Sequence, residues 1–247
     1  MPKLMNITRI DSRAIQHKKV GSSVIMSPQD VSGCKLYLPL EQKSMNLSFD
    51  HSGNEHHGIL HGTTTVAGKI NKAAQFDGID DLIDCGGYDI LNTFTAMAWV
   101  KPMDDSGEFE LCVMGSRYPE ESSFDFKLDP GLIHGDIGIG TDFITTNADV
   151  PFDWVVGEWL HVCYVVTPLY YKIYANGQLL DTVLYSDLGY EGPQPVICSD
   201  ANHILTIGNA DVDGGLLEFF NGVIDEVFVY GRELSATEIF NYYERTK

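Results

Sequence analysis

This sequence predicts an all-β sandwich, and three observations carry the prediction. Short runs of β-branched and aromatic residues recur between turn signals, helical periodicity is nearly absent, and the segment from Phe219 onward reads as strand, tight turn and short helix. In chain order, residues 93–101 form a strong strand with Trp99 inside it. Strands at 109–116, 124–128, 136–140, 159–167, 170–180 and 203–208 follow. Asn176-Gly177 marks the clearest hairpin, because both residues accept the positive φ angles of a two-residue turn. Residues 223–230 are β-branched or aromatic, interrupted only by Asp225 and Glu226, as in a strand buried on both faces. Ser235-Ala236-Thr237-Glu238 then reads as a capping box, so a helix should start there and run to the end.

The closing segment resembles the last strand of the laminin-G-like, concanavalin A-type jelly rolls. Two other places agree with it. Residues 68–83, Gly-Lys-Ile-Asn-Lys-Ala-Ala-Gln-Phe-Asp-Gly-Ile-Asp-Asp-Leu-Ile, look like that family's early strand pair. Residues 36–40, Leu-Tyr-Leu-Pro-Leu, followed by Asp-His-Ser-Gly-Asn-Glu-His-His-Gly at 50–58, look like its opening strand and loop. The resemblance covers residues 34–247 and implies a jelly-roll β-sandwich of two antiparallel sheets with a short C-terminal helix. It does not fix a function, since that fold serves lectins, adhesins, fibre proteins and glycan-cleaving enzymes.

A chain of 247 residues with no internal repeat fits one β domain at 34–247, preceded by an N-terminal arm at 1–33. The net charge of −19 argues against nucleic acid as a partner, because most of the surface would repel a phosphate backbone. The charge is uneven. Residues 1–33 carry +3 and the remainder −22, so a mildly basic arm precedes an acidic body. Such an arm is either a solvated tail or a segment that docks on its own body or on a neighbouring copy, giving self-association. No apolar run reaches the ~20 residues a membrane-crossing helix needs, so membrane insertion is not expected. The start lacks the unbroken apolar core of a secretory signal, which leaves an extracellular protein whose signal has been removed or a virion-associated one. Cys34, Cys85, Cys112, Cys163 and Cys198 are few and widely spaced, so buried thiols are expected rather than a disulfide framework.

The expected cofactor is calcium. The loop at 50–58 offers a hard carboxylate, an amide and freely turned carbonyls, while Asp225 stands in an apolar strand where an unneutralised charge is costly. The resemblance implies that Asp50 and Asp225 share one ion, completed by Asn54 and backbone oxygens near His57. The alternative is that Asp225 faces a surface or pairs with a Lys or Arg. Asp77 reads as a strand-ending turn residue, and the histidines at 51, 56, 57 and 61 lack the helical frame that would align a zinc pair.

Catalytic patterns are not evident. No Glu-x-Asp-x-x-Glu run is present, and strict alternation would put Asp225 and Glu226 on opposite faces. A non-catalytic glycan-binding protein is therefore the leading expectation. The alternatives are a structural or decoration protein of a virus particle or surface assembly and, less favoured, a glycan-cleaving hydrolase or lyase. For a glycan or surface glycoconjugate, the candidate contacts are Arg117, Tyr118, Trp154, Tyr170 and Tyr190, since sugars stack their C–H faces on aromatic rings.

Overall fold

The computed structural model describes residues 32–41, 46–106, 110–116, 124–139, 143–145, 149–201, 203–209 and 218–247. The N-terminal arm up to residue 31, with the self-association expected of it, lies outside the described residues, as do Arg117 and Tyr118.

Two large antiparallel sheets face each other, as expected for the jelly roll. The first runs in space as Gln178–Leu184, Tyr170–Ala175, Leu160–Val166, Phe94–Pro102, Asn221–Tyr230, Lys72–Asp77 and Thr64–Ala67. Cys34–Leu38 pairs along the second half of Asn221–Tyr230. The second runs as Phe143–Thr145, Leu132–Gly138, Phe124–Asp129, Leu111–Gly115, Thr206–Ile207, Leu82–Asp84, Gly58–His61 and Leu47–Ser48, with Val150–Pro151 beside Leu132–Gly138. Hairpins apart, spatial neighbours such as Phe94–Pro102 and Asn221–Tyr230 are far apart in sequence, because each sheet is assembled by strands returning from the other.

The central strands of the first sheet are buried on both faces, and their sequence shows why. Along Phe94–Pro102, Ala96, Ala98 and Val100 enter the core between the sheets, while Met97 and Trp99 face outward under the C-terminal helix. That helix, Ala236–Thr246, opens on the expected capping box: Ser235 Oγ accepts from the Glu238 amide, and the Glu238 carboxylate accepts from the Ser235 amide at 2.8 Å. Its buried face carries Ile239 and Tyr242 onto the sheet, and Trp99 Nε1 donates to Thr246 Oγ1 at 3.0 Å. Each large apolar side chain buried in this way contributes about 1.5–3 kcal/mol.

The hairpin forms as read, with Asn176 at φ 49° and Gly177 at φ 74° between Tyr170–Ala175 and Gln178–Leu184. Several predicted strands shift by a few residues. The one expected at 136–140 begins earlier, as Leu132–Gly138, because Gly131 makes the preceding turn with Phe124–Asp129. The five cysteines are buried free thiols, and no helix among the described residues is long and apolar enough to cross a membrane.

Candidate functional site on the outer face of the second sheet

The second sheet differs from the first in what its outer face carries. Phe124, Phe126 and Leu128 point into the core, and so do Ile133 and Ile137. The alternate positions of the same hairpin are Asp125, Lys127, His134 and Asp136. Register then extends this pattern across the sheet. Asp84 pairs with Thr206, Thr206 with Gly115, Gly115 with Asp125 and Asp125 with Asp136, so one transverse row crosses five strands. Strand spacing puts successive members about 4.8 Å apart.

One end of the row is open. A groove of about 450 Å³ is lined by His61, Gly62, Asp80, Leu82, Asp84, Ile204 and Thr206. At its rim, Asp77 Oδ1 accepts from the Ile79 amide at 2.8 Å, which is the turn role expected of it.

The other end is buried and charged. Lys127 Nζ reaches Glu110 at 2.5 Å, Glu218 at 3.2 Å and Asp125 at 3.3 Å. These carboxylates hold the ammonium well above its ordinary range despite its burial. His134 Nε2 lies 3.2 Å from Asp136 Oδ2, and its Nδ1 lies 2.6 Å from Asp149 Oδ1. Burial lowers the imidazole's proton affinity, but the two carboxylates outweigh it and push the pKa up to about 9. Asp125 goes up to about 6, because burial outweighs the attraction of Lys127. Among the described residues of this network, five carboxylates face two cations. Asp125, His134 and Asp136 bring their ligand atoms within 4.8 Å of one another.

The residues singled out from sequence are placed elsewhere. Asp50 is saturated by its own loop: Oδ1 accepts from the Tyr37 and Ser52 amides, and Oδ2 from the Ser52 hydroxyl and the His56 amide. Asn54 spends its amide on the carbonyls of Cys34 and Lys35, and His57 Nδ1 accepts from the Asp50 amide. Asp225 Oδ2 accepts from the Ile70 amide at 2.9 Å. The converging groups of three or more His, Cys, Asp or Glu ligand atoms among the described residues are Asp125–His134–Asp136 and Asp77–Asp80–Asp81. Tyr37 links this loop to the closing strand, its amide donating to Asp50 and its hydroxyl to Glu226.

Asp225 is fully buried and makes no ion pair with a cation among the described residues. Strict alternation also fails in this strand. Glu226 has φ 50°, and the pairing with Phe94–Pro102 shifts register between Asp225 and Phe228. This bulge turns both carboxylates to the helix side: Asp225 sits opposite Trp99, and Glu226 accepts from the hydroxyls of Tyr37 and Tyr242. Burial pushes Asp225 up to about 8 and Glu226 up to about 7.

The expected aromatic platform is dispersed. Trp154 Nε1 donates to the Asp129 carbonyl at 2.7 Å, and Tyr190 donates to the Phe143 carbonyl at 3.2 Å, so both brace the edge of the second sheet. Tyr170 instead donates to Glu233 at 2.8 Å, beside a separate groove of about 470 Å³ lined by Lys172, Tyr174 and Glu233 among others. The transverse row was missed in the sequence although a signal was present. Phe-Asp-Phe-Lys-Leu at 124–128 and Ile-His-Gly-Asp-Ile at 133–137 alternate core residues with charges, a pattern that assigns the charges to one face.

Comparison with known proteins fits this geometry. The family model described as the concanavalin A-like lectin/glucanases superfamily matches residues 78–240, more than half of the chain. A search of curated proteins finds no match. Among solved structures, domain 4 of AbnA, an extracellular GH43 arabinanase from Geobacillus stearothermophilus in complex with arabinotriose, superposes with a TM-score of 0.62 at 20% identity, covering 84% of this chain and 97% of that one. The binding domain of Paraclostridial Mosquitocidal Protein 1 gives 0.63 at 14% identity, covering 87% of this chain and 52% of that one. The receptor binding domain of botulinum neurotoxin D gives 0.62 at 18% identity, covering 87% and 53%. The chain thus spans about half the length of those toxin domains, and at such identities the likeness is one of fold. With its two facing antiparallel sheets and a family model matched over most of the closing two-thirds, the chain belongs to the concanavalin A-like lectin/glucanase superfamily.

Proposed function

We propose that this protein is a non-catalytic, calcium-stabilised glycan-binding protein, and that its ligand lies along the outer face of the second sheet. The observation that carries the reading is the transverse row, which runs from the open groove at His61, Asp80 and Asp84 toward the charged cluster at Asp125. Sugar hydroxyls both donate and accept, so a groove walled by carboxylates, an imidazole and a threonine, with Leu82 and Ile204 as apolar floor, suits them. The similarity to a domain solved with arabinotriose makes pentose and hexose oligosaccharides the first ligands to test.

Two features support the absence of catalysis. Asp225 and Glu226 are buried away from solvent, and Asp125 and Asp136 are engaged by Lys127 and His134. The calcium part of the reading rests on Asp225. A fully buried carboxylate with no cationic partner among the described residues requires a proton or a metal ion to neutralise it.

A glycan array that includes arabino-oligosaccharides, followed by calorimetry with Asp84→Ala and His61→Ala, tests the binding site. Retention of a glycan by the wild type and at least tenfold weaker binding by the variants is expected. Wild-type retention with unchanged variants would move the site off this face, and no retained glycan at millimolar concentration would remove the function. For calcium, excess chelator should lower the melting temperature by several degrees, as expected when a ligand of the folded state is withdrawn. An unchanged melt removes the ion.

A further inference from the structure

The cluster at the buried end of the row has a geometry that glycan binding does not use. His134 is held at Nδ1 by Asp149 (2.6 Å), which orients Nε2 toward Asp136. Asp125 lies directly across the strand pair from Asp136, and one ligand atom from each of Asp125, His134 and Asp136 falls within 4.8 Å of the others. An imidazole whose far nitrogen is fixed by a carboxylate is how proteins set the tautomer and direction of a metal-binding histidine. Asp136 Oδ1 provides a second, independent indication. It is buried and has no hydrogen-bond partner among the described residues, although Asp136 is only 8% exposed.

We propose that Asp125, His134 and Asp136 form a binding site for a first-row divalent metal ion such as Zn²⁺, with Asp149 as the positioning residue for His134. One nitrogen and two carboxylate oxygens on rigid paired strands suit a small borderline ion better than calcium, which takes six to eight oxygens. The ion would bind between these ligand atoms in place of the His134 Nε2 proton, which leaves to solvent, and Asp136 would keep a second carboxylate oxygen for it. Lys127 shares its ammonium among Glu110, Glu218 and Asp125. Entry is available on the Asp149 side, where that side chain is 45% exposed. The site does not depend on a glycan lying on the same face.

Cobalt reports coordination by its visible absorption, so the test is titration of the full-length chain with Co²⁺, followed by competition with Zn²⁺. One equivalent with ligand-field bands, displaced by Zn²⁺, is expected for the wild type. His134→Ala and Asp136→Asn should weaken binding at least tenfold, and Asp149→Asn by about 10–100-fold, the range for lost orienting partners. Circular dichroism checks that the variants fold. If the two buried variants do not, Asp149→Asn, at a partly exposed position, carries the test. A wild type that takes up no Co²⁺ overturns the proposal. So do bands that survive in all three variants, since the ion then sits elsewhere, for example among the histidines at 51–61.

Discussion

Adding one methyl group at Gly135 tests the packing between the two sheets. Gly135 lies between Ile133 and Ile137 on the core-facing side of its strand, opposite the ring of Tyr164 on the other sheet. A Cβ built there would stand 2.7 Å from Tyr164 Cζ, 2.8 Å from Cε1 and 2.9 Å from the hydroxyl oxygen. Carbon contacts are comfortable at about 3.5–4.0 Å, so the ring or the strand must give way by nearly an ångström. The ring cannot swing into solvent, because Tyr164 is fully buried and packs against Phe126 at 5.3 Å between centroids. Overpacking of this kind costs about 1–3 kcal/mol. For a chain of this length each kcal/mol moves the melting temperature by about 2–4 °C, so Gly135→Ala should lower it by roughly 2–12 °C. Urea denaturation should show a reduced midpoint with an unchanged slope. Tyr164→Phe in the Gly135→Ala background should recover part of the loss, since it removes one of the three close atoms and a buried hydroxyl with no partner among the described residues. A Gly135→Ala protein as stable as the wild type would refute this account of how the sheets meet.

Glu226→Gln should change how stability depends on pH. Its folded pKa of about 7 stands above the ordinary 4.5, so the folded state holds the proton that the unfolded chain releases, and stability falls as pH rises from about 4.5 to 7. That displacement corresponds to ~3 kcal/mol, so the Gln variant should gain about this much on the wild type between pH 4 and pH 8 in chemical denaturation with chelator present. Parallel curves for the two proteins would show that Glu226 ionises freely. His161 acts in the opposite sense. Burial pushes it down to about 3, so the stability it contributes by staying neutral is present above pH 6.5 and is lost as pH falls toward 3; His161→Phe should reduce the acid sensitivity of the melt. At the helix start, Ser235→Ala removes the acceptor for the Glu238 amide and should cost about 1 kcal/mol, read as a melting-temperature loss of a few degrees.

Local chemistry made much of the fold legible in the sequence. The strand at 223–230, the Asn176-Gly177 hairpin and the Ser235–Glu238 capping box depend on neighbouring residues alone, and all three stand where they were read. The charge alternation at 124–128 and 133–137 likewise fixed which face those residues take. What local pattern cannot supply is register between distant strands. Asp84 and Thr206 come from parts of the chain far from Gly115, Asp125 and Asp136, and only pairing in the folded sheet brings the five into one row. The bulge at Glu226 is tertiary in the same sense. Alternation predicts opposite faces for Asp225 and Glu226, but the hydroxyls of Tyr37 and Tyr242 offer Glu226 partners on the helix side, and a single positive φ lets it reach them. Sequence therefore determined which segments are strands and which residues are inward. The tertiary structure decided which polar residues meet, because a buried charge is placed by the partners that satisfy it, and those arrive from elsewhere in the chain.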